Sequence, residues 1–265
     1  QMLATMRLAD ADMEGLDLSS WSLAFVGAEP IRSGTLRAFA QRFARCGFRA
    51  EAFYPCYGLA EHTLFMTGGR KSALPVQLPL AHGAGYDAST TSEPAMAIGC
   101  GSPSEDSIVA IVDPDTGMLC EDGKVGEIWA QGPSVAAGYW NNAPLTAQTF
   151  EARLPGFEGR FLRSGDYGYR LHDQIVVTGR LKDMIPIHGA NHYPHDIEET
   201  IEGIDADMFR AGGTAVFAIE SSESLQVIVV RELRARYLKH FDGDVDFEAD
   251  IDTSDEPHAE SPAPL

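Results

Sequence analysis

Apolar and polar positions change texture along the chain, and the first texture is the most regular. Leu23-Ala-Phe-Val-Gly-Ala28 is a short apolar run ending in small residues, which predicts a buried strand. Pro30 then turns the chain. Ser33 stands as an N-cap for a helix whose apolar positions are Leu36, Phe39, Ala40 and Phe43. That spacing is the i, i+3, i+4, i+7 face of a helix lying on a sheet. Gly47 stops it. Ala52-Phe-Tyr54 predicts a second strand, followed by Pro55-Cys-Tyr-Gly-Leu-Ala-Glu61. Strand, helix, strand in about thirty residues is a βαβ unit, and its exit loop is where α/β proteins place ligands.

From 67 to 97 the period is lost among Gly, Pro, Ser, Thr and Ala, which predicts an irregular insertion. After Gly99 come short strands with turn signals: 107–112, the turn Asp113-Pro-Asp-Thr-Gly117, 125–131 and 174–178. This texture predicts a small antiparallel barrel or sandwich over 99–180. Pro194 suits the first position of a helix carrying Ile197 and Ile201 on one side, and strands follow at 214–219 and 225–230. These elements predict a second, small α+β domain over 181–241. The fold class expected is α/β with a small β-barrel subdomain and a partial α+β C-terminal domain. Internal repeats are lacking.

Charge changes the picture at one end. The 265 residues hold 20 basic and 39 acidic side chains, a net charge of −19. Nine of the acids fall in 242–265, where no Lys or Arg occurs, so that stretch is expected to be a disordered acidic tail. Such a balance repels phosphate backbones and disfavours nucleic-acid binding through a basic face. No run of about 18 apolar residues offers a membrane span. The opening QMLATMRLADADMEG has no basic region followed by an apolar one, so no signal peptide is expected. Cys46, Cys56, Cys100 and Cys120 include no C-x-x-C pair. They are expected to be reduced, buried thiols in a cytoplasmic protein rather than a zinc site or a disulfide scaffold.

Four segments carry candidate chemistry. In Tyr57-Gly-Leu-Ala-Glu61 a Gly beside an aromatic lets a flat ring approach the backbone, and a carboxylate four residues on suits a hard divalent cation. The same residues suit a packed core ring and a solvated acid. In Arg163-Ser-Gly-Asp166 an Asp behind Gly in a tight turn can accept both hydroxyls of a ribose, or form an Asx turn. In Gly179-Arg-Leu-Lys-Asp183 the planar fork of Arg180 suits ribose oxygens and a phosphate, or a surface ion pair. His188, His192 and His195 have spacings of 4 and 3, but Gly189 and Pro194 break the helix that would align them on a metal. A polar loop leading into a helix is the better reading.

The order of these segments is more specific than any one of them. Val26-Gly-Ala-Glu-Pro30, Tyr54-Pro-Cys-Tyr-Gly-Leu-Ala-Glu61, Gly126-Glu-Ile-Trp-Ala-Gln-Gly132 with Gly138-Tyr-Trp-Asn141, Arg163-Ser-Gly-Asp166 and Gly179-Arg-Leu-Lys-Asp183 resemble the successive motifs of the adenylate-forming superfamily. That group holds acyl-CoA synthetases, peptide-synthetase adenylation domains and luciferases. The resemblance is closest to the fatty-acyl-AMP ligases. The loop reads Ala before Glu61, where acyl-CoA synthetases usually have Thr. The stretch 67–97 falls where these ligases carry an insertion. Gly189-Ala-Asn-His-Tyr-Pro-His-Asp-Ile-Glu198 looks like their Gly-x-Asn-x-Tyr-Pro-x-Asp-Ile-Glu segment. The resemblance covers roughly 15–230.

It implies an enzyme that joins a fatty acid to the α-phosphate of ATP, releases pyrophosphate and passes the acyl group to an acyl carrier protein of a polyketide or peptide assembly line. By carry-over Gly27, Ala28, Glu29 and Pro30 line the adenine site. Tyr57, in the loop with Gly58, Leu59 and Ala60, stacks on the adenine. Glu61 binds Mg²⁺. Asp166 holds the ribose hydroxyls, and Arg180 the ribose and phosphate side. Lys182 falls at the hinge between a large domain and a small lid. Glu61, Arg180 and Lys182 are the catalytic expectations. Two departures matter. A Gly-rich phosphate loop ending near a Lys is not found among the 26 residues before Gly27, and Ser89-Thr-Thr-Ser92 lacks both Gly and Lys. The Lys residues, at 71, 124, 182 and 239, include none in the context of the family's late catalytic Lys. The chain is therefore expected to match the second part of the adenylating domain plus part of the lid, and to adenylate weakly or not at all by itself. An acyl-CoA synthetase, or a non-catalytic remnant that binds nucleotide or carrier, are the alternatives.

Overall fold

The computed structural model of the chain describes residues 8–80, 96–187, 190–204, 207–220 and 225–238. Strand β1 (Ala24–Val26), helix α1 (Ser33–Phe43) and strand β2 (Phe53–Tyr57) form the expected βαβ unit, with Ala24 opposite Phe53 in parallel register. The apolar stripe of α1 buries Leu36, Phe39 and Phe43 against Ala24, Phe53 and Ile98. Each such side chain contributes about 1.5–3 kcal/mol when fully buried. Phe39 is the hub, with ring centroids of Phe43, Phe48 and Phe53 at 4.5, 5.1 and 5.9 Å. Ser33 is the first helical residue rather than the cap. Arg32 takes the cap position and makes no side-chain cap bond. Gly47, at φ 82°, turns the chain out of the short 3-10 extension after α1.

The stretch 67–97 is not irregular throughout. It contributes β3 (Thr67–Gly68), β4 (Gln77–Pro79) and β5 (Met96–Ile98), and β6 (Ser102–Pro103) follows. Strands of two or three residues are too short to print a period. β3 and β6 extend the first sheet in the order β1-β2-β3-β6, while β4 and β5 pair with each other. Residues 81–95, with the Ser89–Ser92 lookalike, lie outside the described residues.

The third sheet holds β7 (Ile108–Val112), β8 (Gly126–Gln131), β9 (Leu162–Leu171) and β10 (Gln174–Arg180) in the antiparallel order β10-β9-β8-β7. It is open, with β7 and β10 as edges. The expected barrel does not close among the described residues, because four strands of this length leave no interior to fill. Both faces are covered instead. One carries Val109, Ile111, Ile128 and Leu162, and the other Ala110, Val112, Trp129 and Phe161. Helix α2 (Ala143–Phe150) between β8 and β9 was not expected. It starts on Asn142, whose Oδ1 accepts from the Leu145 N–H at 3.2 Å.

Beyond β10 lie the hairpin β11 (Ile185–Ile187) and β12 (Ala190–His192), helix α3 (Pro194–Glu202), strands β13 (Phe209–Glu220) and β14 (Leu225–Leu233), and the single turn α4 (Ala235–Leu238). Pro194 opens α3 as expected. The helix packs on β13, and Glu198 Oε1 accepts from the Val216 N–H at 3.0 Å. The acidic stretch 242–265 lies outside the described residues. No helix among them is long and apolar enough to cross a membrane.

Candidate functional site

The carboxyl ends of β2 and β10 converge on the middle of β9. Tyr57 closes β2, Arg180 closes β10, and Asp166 stands directly opposite Arg180 in the β9–β10 register. The Tyr57 O–H donates to Asp166 Oδ2 at 2.7 Å, and Arg180 Nε donates to Asp166 Oδ1 at 3.1 Å. Asp166 is 7% exposed. Burial raises its carboxyl above the usual range, while Tyr57 and Arg180 pull it back down. Burial, followed by the charge of Asp166, pushes the Tyr57 phenol well up, so it stays a donor.

These residues line a cleft of about 530 Å³, within the range of small-molecule sites. Ala28, Glu29 and Pro30 form one wall, Tyr57 and Gly58 the floor, and Thr178 to Arg180 another wall. Ala28 sits at φ 70°, a left-handed conformation that costs a residue with a Cβ roughly 1–2 kcal/mol. Gly27 is set back from the cleft. A Cβ there would lie 2.6 Å from the Cys56 carbonyl oxygen, so glycine is what lets β1 run this close to β2. At Gly58 a Cβ would lie 1.6 Å from the Leu64 carbonyl oxygen.

Not every expected residue reaches the cleft. Leu59 packs under the third sheet, and Ala60 opens a 3-10 turn. Glu61, in that turn, is half-buried, and its Oε1 accepts from the Tyr139 O–H at 2.6 Å. The Ala136 N–H donates to its carbonyl at 2.8 Å. Lys182 lies exposed in the turn Leu181–Asp183, two residues past Arg180. For Mg²⁺ the donor set fits as one carboxylate among phosphate and water oxygens. Among the described residues no group of three His, Cys, Asp or Glu is placed to hold an ion by itself.

The fourth side of the cleft was not expected. His192, His195, Asp196 and Thr200 reach it from β12 and α3, where the sequence suggested only a polar loop and a helix start. His188 lies outside the described residues. Burial, and then the Arg32 guanidinium, push His195 down to about 4, so its ring is neutral at pH 7. It stacks on Tyr193 at 5.6 Å. Cys56 and Cys100 also line the cleft, and all four cysteines are unpaired, as expected. Burial holds the Cys100 thiol up at about 12.

Residues 1–140 match the family described as AMP-binding enzyme. The chain belongs to that family. It is 41% identical over 236 residues to the medium-chain-fatty-acid–[acyl-carrier-protein] ligase JamA of Moorena producens, covering 86% of this chain and 40% of that protein. It is 36% identical over 250 residues to the corresponding ligase TtuA of Teredinibacter turnerae, covering 89% and 39%. A fatty acyl-adenylate ligase from Legionella pneumophila, solved in complex with acyl adenylate and pyrophosphate, matches with a TM-score of 0.65 and 39% identity over 88% of this chain and 42% of that one. The chain thus spans about two fifths of the length of the relatives it matches.

Proposed function

We propose that this chain carries the adenine and ribose side of a fatty-acyl-AMP ligase. The observation that carries the reading is the convergence of Tyr57, Asp166 and Arg180 on one cleft from three separate strands. Ala28, Glu29 and Pro30 border the adenine, and the Tyr57 ring stacks on it. The Asp166 carboxylate accepts from the ribose hydroxyls. Arg180 spans ribose and phosphate oxygens with its fork. Its Nε bond to Asp166 leaves the terminal nitrogens for the nucleotide.

In the reaction a fatty acid carboxylate oxygen attacks the α-phosphorus of ATP, and the bond to pyrophosphate breaks. Mg²⁺, which Glu61 would hold, supplies charge screening at the phosphates. Tyr139 fixes the Glu61 carboxylate through Oε1 and leaves Oε2 for that role. The thiol of a carrier protein's phosphopantetheine arm then attacks the acyl carbon, and AMP leaves. The ACP ligases JamA and TtuA support this acceptor. Lys182, at the chain's passage from β10 to α3, sits at the hinge of the lid. A cytoplasmic setting, where ATP is supplied, is compatible with this reading.

Two experiments test the reading. AMP binds this chain, and Asp166→Asn weakens that binding tenfold or more, about what one charge-assisted hydrogen bond supplies. ATP–pyrophosphate exchange with decanoate runs orders of magnitude slower with this chain than with a ligase carrying the phosphate loop and late Lys. Equal AMP affinity of the wild-type and Asp166→Asn chains would overturn the ribose assignment.

A further inference from the structure

Glu127 lies in β8, away from the cleft, and is 2% exposed. A carboxylate buried that far is kept only where it is paired and hydrogen-bonded. Its hydrogen-bond partners among the described residues are all on one stretch of β9. Arg163 donates from Nε to Oε2 at 3.0 Å and from Nη2 to the same oxygen at 2.7 Å. The Gly165 N–H and Arg163 Nε both reach Oε1 at 3.3 Å. Arg163 is also seated over the Trp129 ring, 5.5 Å from its centroid.

Between these anchors the strand register slips. Glu127 faces Tyr167 and Trp129 faces Arg163, so 164–166 together stand opposite Ile128. This is a β-bulge, the device that re-aims a side chain at the edge of a site. Gly165 supplies its left-handed residue, at φ 71°. The Ser164 hydroxyl ties it down by donating to the Ile128 carbonyl at 2.6 Å and accepting from the Asp166 N–H at 3.0 Å. A glycine bulge held only by a hydroxyl is soft. The Glu127 carboxylate grips the residues at 163 and 165, leaving 166 little freedom to turn.

We propose that Glu127 is a positioning residue: through Arg163 and the Gly165 N–H it fixes the β9 bulge so that Asp166 points at the ribose hydroxyls of a bound nucleotide. This rests on the reading of Asp166 as the ribose contact.

The test uses the intact chain and compares the affinity of AMP with that of 2′-deoxy-AMP by calorimetry. The wild-type chain prefers AMP about tenfold or more. Asp166→Asn removes the preference. Glu127→Gln brings it to within about twofold, while adenine binding persists in both nucleotides. A merely structural role would weaken both ligands together and leave their ratio unchanged. That result overturns the proposal. If the wild-type chain shows no preference, the ribose assignment of Asp166 fails instead, and the inference falls with it. If Glu127→Gln does not fold, Arg163→Lys serves, since it keeps the charge and loses the fork. A folded Arg163→Lys chain with the full wild-type preference overturns the proposal equally.

Discussion

The Tyr57 hydroxyl donates to Asp166 Oδ2 at 2.7 Å, tying the end of β2 to a residue 109 positions later in β9. Arg180 holds the other carboxylate oxygen at 3.1 Å. The carboxylate is therefore oriented before any ligand arrives, which lowers the ordering cost of binding. Tyr57→Phe leaves this buried acceptor short of a partner. The expected loss is about 1–3 kcal/mol of folding stability, read as a lower urea midpoint at pH 7. Unchanged midpoints would sink the idea that the bond is formed in solution.

Two glycines separate space from conformation. A Cβ at Gly58 would meet the Leu64 carbonyl oxygen at 1.6 Å, and neither backbone can give way cheaply. Gly58→Ala is expected to cost more than about 2 kcal/mol and to disturb Tyr57 next to it. Gly34, near the start of α1, has nothing within 4 Å of the same built atom. Gly34→Ala is expected to stabilise by about 0.4–1 kcal/mol. Thermal melts of both variants, moving in opposite directions, are the check.

The features legible in the sequence were those with a sustained period. The stripe Leu36, Phe39, Phe43 marked α1, and Pro194 marked α3. β9 was hidden because Ser164-Gly165 reads as a turn, and a bulge inside a ten-residue strand carries the same local signal as a turn between strands. α2 spans only eight residues, and its start signal, Asn142 with Pro144 behind it, has too short an apolar period after it to stand out. The cleft itself has no local signature. Tyr57, Asp166 and Arg180 were brought together by family resemblance, and α3 joined them only through tertiary packing. His195 could not be found by pattern, because its burial and its neighbour Arg32 are set by the contact of α3 with the start of α1.

Glu61 and Tyr139 give a prediction about metal dependence. With Oε1 taken by Tyr139, Glu61 has Oε2 left, which in the proposed reading would meet a cation shared with phosphates. Glu61→Gln is expected to reduce the gain in ATP affinity that added Mg²⁺ brings, severalfold or more, and to leave AMP affinity without Mg²⁺ unchanged. Titrations of both nucleotides with and without Mg²⁺ decide it. An undiminished Mg²⁺ effect in the variant removes Glu61 from the metal site.

His195 makes stability depend on acid in a defined window. Its ring is held near 4 in the folded chain against an ordinary value of 6.5. Asp196 Oδ1 lies 3.4 Å from its Nε2 and would favour the charged ring, but burial and Arg32 outweigh it. Above 6.5 the ring is neutral whether the chain is folded or not. As the pH falls from 6.5 toward 4 the unfolded chain takes up this proton first, so the folded state loses ground across that interval. Below about 4 the folded chain binds the proton too, and this contribution stops changing. Carboxylates titrate in the same range, so the comparison with His195→Gln isolates the ring. The urea midpoint of the wild type should fall further than that of His195→Gln as the pH drops from 7 to 4. Curves that stay parallel throughout would mean that His195 is open to water and that α3 does not cover the cleft as described.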